Sequence, residues 1–145
     1  MEKNLSPENA EDTRKNILAS LIRLRLLFEK RVMVYRRPIY RAYANLCLAI
    51  SWLGQAVEKP PVDMDVEVSD EAQAVATGPE ERFCEYAVTV LYGNRAIYDF
   101  ICKPGFAPIP QADYNAQTYL RAATQELQID IEQLKALEAG QTTGN

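Results

Sequence analysis

Between Ile39 and Val57 the apolar residues Ile39, Tyr43, Leu46, Ile50, Leu53 and Val57 follow one another at alternating spacings of four and three. That is the period of one face of an α-helix, so this stretch fixes the fold class before anything else is considered. A second row, Ala42, Ala49 and Ala56, repeats every seven residues beside it. Side chains this small let a neighbouring helix backbone approach closely. The segment therefore reads as a central helix with the rest of the chain packed around it.

The flanking residues supply the other helices. Ser6-Pro7-Glu8 is a helix start, with serine as N-cap, proline in the first turn and an acid beside it. The helix it opens is expected to reach about Tyr35, with Ile17, Leu21, Leu24 and Phe28 on one face and Leu18, Ile22 and Leu26 widening that stripe. Arg36-Arg37-Pro38 ends it, because the residue before a proline is driven out of helical dihedrals. So short a connection folds two helices back antiparallel. Lys59-Pro60-Pro61 stops the central helix. Leu48 and Trp52 lie off its seam, covered either by a third helix or by a partner, for which tryptophan is a typical anchor.

Val62 to Val68 alternates apolar with acidic residues, which suits an extended segment laid over the helices or left mobile. Ser69-Asp70-Glu71 caps a short helix to about Ala76, with Gly78 as its stop. Pro79-Glu80-Glu81 opens a longer segment through Phe83, Ala87, Val90, Ile97 and Ile101. Here two readings compete. Ala87–Tyr92 and Ala96–Ile101 are rich in strand formers, and Gly93-Asn94 between them suits a hairpin turn. The helix is preferred because the four-three spacing extends beyond both would-be strands, which makes Asn94 a polar residue in an apolar seam, a device that fixes register. After a proline-rich linker, Asp113 or Asn115 is expected to cap a last helix carrying Leu120, Ala123, Leu127, Ile131 and Leu134, ended at Gly140. The expected architecture is all-α: about four main helices, one short helix and a long acidic connection over 58–69. The chain reads as a single domain, 1–145, frayed at 1–5 and 141–145.

Composition narrows the chemistry. The chain has no histidine, which removes Ser-His-Asp and Cys-His nucleophile systems, imidazole zinc sites and histidine acid–base catalysis. Three distant cysteines, Cys47, Cys84 and Cys102, make neither a disulfide framework nor a four-cysteine zinc site. Asp63, Asp65, Glu67, Asp70 and Glu71 lack the glycine and the terminal glutamate of a calcium loop and read as a solvated segment. No apolar run approaches the roughly 18 residues of a membrane span. The expectation is a cytoplasmic protein without catalytic residues, metal or cofactor.

Charge is the remaining lead. From Arg14 to Arg41 the chain holds nine basic residues and one acid, Glu29, whereas Glu58 to Glu85 holds nine acids against Lys59 and Arg82. Arg23, Lys30 and Arg37 recur every seven residues, and Arg31, Tyr35, Arg36, Arg37, Tyr40 and Arg41 gather cations and rings at the first helical corner. Such a corner suits an acidic partner surface. It also suits phosphate, since arginine forks grip it in a bidentate way and rings stack on bases. The simplest alternative is that the basic helix pairs with the acidic segment of its own chain. The leading expectation is a non-catalytic interaction protein (adaptor, inhibitor or assembly factor) whose basic N-terminal hairpin binds an acidic protein. It would self-associate, as a homo-oligomer, through Ala42, Ala49 and Ala56 or through the Leu48/Trp52 side. The second is a module for nucleic acid, nucleotide or another phosphorylated ligand at residues 31–41.

Overall fold

A computed structural model describes residues 7–35, 39–102 and 110–143. Five α-helices account for most of them: α1 (Pro7–Tyr35), α2 (Tyr40–Gln55), α3 (Asp70–Ala76), α4 (Glu80–Ile101) and α5 (Gln111–Thr143). A 3-10 turn covers Asp63–Asp65, and no strand occurs among the described residues. The segment that read as helix or hairpin is one unbroken helix, α4.

The four long helices form a square. α1 packs on α2, α2 on α5, α5 on α4 and α4 on α1, leaving α1 and α5 at opposite corners. Cross-helix hydrogen bonds give the directions. Tyr43 donates to Glu29 and the Glu58 amide to Glu11, so α1 and α2 are antiparallel. Asn94 meets Ser20 while Phe83 meets Phe28, so α1 and α4 are antiparallel too. Tyr98 meets Asp113 and Lys135 meets Glu85, which sets α4 against α5. α2 and α4 therefore run the same way, and the chain must climb the length of the bundle between them. Residues 56–79 make that climb along α1, from Glu11 past Arg25 to Arg31, about 30 Å of helix at the usual rise.

The seam of α2 is where its period put it. Ile39, Leu46, Ile50, Leu53 and Val57 are buried and Tyr43 is half-buried. Yet α2 is one corner of the square and packs mainly on α5 and α1; the hub is α1, which touches α2, α4, α3 and the 3-10 turn. The reason is the breadth of its stripe. Ile17, Leu18, Leu21, Ile22, Leu24, Leu27 and Phe28 are all at most 3% exposed, more apolar surface than two neighbouring helices can cover. The climbing connection covers the rest, with Val66, Val68 and Val75 packed against the core.

Local boundaries follow from capping. The Ser69 hydroxyl accepts from the Ala72 amide at 3.1 Å and starts α3 as its N-cap. α2 ends at Gln55, well short of its prolines, and the freed Glu58 amide bonds the Glu11 carboxylate. Two expectations at the last helix are corrected. Helix α5 begins at Gln111, so Asp113 is inside its first turn rather than its cap, and the helix runs through Gly140 to Thr143. An exposed glycine in a helix costs only about 1 kcal/mol relative to alanine, too little to stop so long a helix. The alternation over 62–68 also breaks: Val62 and Met64 point to solvent around the 3-10 turn, and only Val66 and Val68 turn inward.

Candidate functional site

The cations of the N-terminal hairpin are not gathered at one corner. Arg31 is buried at 3% exposure, its Nη1 donating to the carbonyls of Ala76 at 3.1 Å and Gly78 at 2.7 Å, with its guanidinium 5.3 Å from the Phe83 ring centre. Ala76 closes α3, so Arg31 satisfies carbonyls that a short helix leaves unpaired and sits at the negative end of its dipole. Its assignment to a ligand-binding corner is therefore corrected: it is a structural cap. Arg14 is likewise taken up inside, and Lys15 lies beside Glu11 at 3.9 Å. Arg25 pairs with Asp63 of the connection and with Glu29, whose carboxylate also accepts from the Tyr43 hydroxyl at 2.6 Å. That bond and burial hold the Tyr43 phenol well above its ordinary value. Cys47, next along, is pushed up by burial. Lys30 donates to Gln73 at 3.1 Å. These cations are thus engaged within the chain, and the Arg25–Asp63 ion pair ties the basic helix to the acidic segment.

Arg23 and Arg41 are exposed and carry no ion pair among the described residues. They face different ways. Arg23 shares the outer face of α1 with Lys30, as their seven-residue spacing requires. Arg41 and Tyr40, the latter 72% exposed, line a cleft of about 420 Å³ between the start of α2 and the later half of α5. Ile129, Leu134 and Leu137 give that cleft an apolar side, while Glu80, Glu126 and Asp130 set three carboxylates around its one arginine. This sign of charge disfavours a phosphate there. The side chain of Tyr35, and Arg36 and Arg37 entirely, lie outside the described residues.

The expected self-association surface divides in the same way. Ala42 and Ala49 are buried in the chain's own core and Ala56 packs half-buried against it. The most extensive helix pair is α2 with α5, and α5 brings buried Ala116 and Ala123 at the same seven-residue spacing. The alanine row thus belongs to an internal helix contact, which corrects its reading as an interface between copies. Trp52 is half-buried against the core; Leu48 remains 41% exposed.

The sequence reading missed a buried polar knot at the opposite end. Arg14 from α1 grips Asp113 of α5 with two hydrogen bonds, Nε to Oδ1 at 3.0 Å and Nη2 to Oδ2 at 2.9 Å, reaching across the diagonal of the square. Tyr98 of α4 adds its hydroxyl to Oδ1 at 2.5 Å. Asp113 is 2% exposed and Tyr98 fully buried. Burial and the Asp113 bond raise the Tyr98 phenol far above its ordinary range, and burial pushes the neighbouring Cys102 thiol up to about 11. One turn along α5, Gln117 donates to Asp99 at 2.7 Å. The hint in the sequence is one of position: Asp113 falls on the helical face continued by Ala116, Leu120, Ala123 and Leu127, where an aspartate near a helix start also suits a cap. With both carboxylate oxygens of Asp113 hydrogen-bonded to groups of two other helices, the knot locks three helices in register. No protein-family model, no curated protein and no solved structure matches this chain.

Proposed function

We propose that this protein is a non-catalytic interaction protein whose basic N-terminal hairpin meets an acidic protein partner. The observation that carries the reading is the outer face of α1, where Arg23 stands exposed and free of ion pairs among the described residues, with Lys30 two turns along. A solvent-facing cationic row on a rigid helix offers steering and register to an acidic surface. Self-association would use the Leu48/Trp52 side of α2, where Leu48 is exposed and Trp52, one turn along the helix, is half-buried.

The test is capture of partners from the source lysate by the full chain and by its Arg23→Glu/Lys30→Glu variant. Acidic proteins held by the parent chain at low salt and lost by the variant are the expected result. An unchanged set of captured proteins overturns the reading, and co-purifying nucleic acid, seen as excess absorbance at 260 nm, transfers it to a phosphate ligand. For self-association, light scattering is expected to show a dimer or larger for the parent chain and a monomer for Leu48→Glu.

A further inference from the structure

We infer that residues 58–69 are a displaceable strap, and that the track they cover on α1 binds an extended peptide in which acids alternate with apolar residues. The inference rests on the preceding reading of α1 as the docking helix and specifies its ligand and its regulation.

The strap and its track are complementary in two ways. Between the faces of Arg25 and Lys30 lie Ile22 and Leu26, one buried and one half-buried, so the covered track has an apolar floor and cationic sides. Over it runs Val62-Asp63-Met64-Asp65-Val66-Glu67-Val68, which sets Asp63 on Arg25 and turns Val66 and Val68 toward the core. The chain thus carries a specimen of the ligand chemistry its own track recognises. The hold is slight. The 3-10 turn contains no buried residue, Met64 is 93% exposed, and the Asp63 carboxylate is 54% exposed, so its ion pair is screened by salt. Both ends of the strap are anchored, by Val57 in the core and by α3 under Arg31, so it can lift and return without unfolding the helices. A partner segment in the same pattern would compete for the floor and the sides, and its apparent affinity would be reduced by the fraction of molecules with the strap down.

The experiment uses the full chain and a fluorescein-labelled synthetic peptide of residues 60–70, followed by polarisation at low salt. The Asp63→Asn/Asp65→Asn/Glu67→Gln chain, with its melting temperature verified, is expected to bind the peptide about tenfold more tightly than the parent. Adding Arg25→Gln and Lys30→Gln is expected to abolish the gain. Equal affinity, or no binding by either chain, overturns the strap. Should the neutralised chain fail to fold, hydrogen exchange on the parent chain decides. Excess peptide is expected to speed exchange of the amides of 62–68 while α1 stays protected, and unchanged exchange overturns the proposal. The two readings fail separately: partners lost with Arg23→Glu/Lys30→Glu but no gain on neutralising the strap leaves docking without displacement.

Discussion

Two arginine–aspartate pairs in this protein do opposite things. Arg14–Asp113 lies at one end of the bundle, its carboxylate 2% exposed, bidentate and completed by Tyr98. Arg25–Asp63 lies on the flank, half in solvent, joining a helix to the connection that crosses it. A charge removed from water is costly to leave without its counter-charge, so the first pair holds helices that would otherwise have no reason to share a register. The second exchanges solvation for a modest attraction and can be surrendered cheaply. The same two residue types make a lock in one place and a latch in the other, and what separates them is the burial of the aspartate and the number of hydrogen bonds it accepts.

The largest effect that would break this contrast is at the lock. Asp113→Ala leaves the Arg14 guanidinium without its counter-charge and is expected to cost about 3–5 kcal/mol in urea unfolding; a cost near zero would mean that Arg14 turns to solvent. Next comes alkaline pH. The Cys102 thiol has an ordinary value of 9.0 and is pushed up to about 11 by burial. Between these values the unfolded chain sheds its proton while the folded chain keeps it, so stability is intact below about pH 9 and falls as pH rises toward 11. The loss assigned to this thiol is on the order of 2 kcal/mol, read as the part of the decline that Cys102→Ala removes. Tyr98→Phe keeps the ring and deletes one hydrogen bond to the aspartate, for about 1.5–2 kcal/mol by the same unfolding measurement. Smallest is the latch. Asp63→Asn is expected to change stability by less than about 1 kcal/mol, and a difference that persists in high salt would show the pair to be more deeply held than its exposure implies.

Much of the fold was legible because helices are written in local periodicity. The seam of α2, the serine start of α3, the acidic start of α4 and the antiparallel hairpin of α1 and α2 all follow from residues within a few turns of one another. Asn94 also behaves as its place in the seam suggested, donating to Ser20 across the α1–α4 contact at 2.9 Å. The candidate site was less legible. Its residues were grouped by nearness in sequence, and Arg23, Arg31 and Arg41 diverge because a helix rotates about 100° with each residue and because neighbouring elements claim some cations and not others.

What the sequence by itself determined is that this chain is helical, where α3 and α4 begin, and which faces are apolar, since each depends on contacts between near neighbours. Only the tertiary structure decided that α1 rather than α2 is the hub, that the alanine row is taken up inside the bundle, that Arg31 caps α3, and that Asp113 is a buried counter-charge. Each of these joins different helices, Arg31 to Ala76 across 45 positions and Arg14 to Asp113 across 99, where the partner is set by which surfaces remain uncovered once the helices have packed.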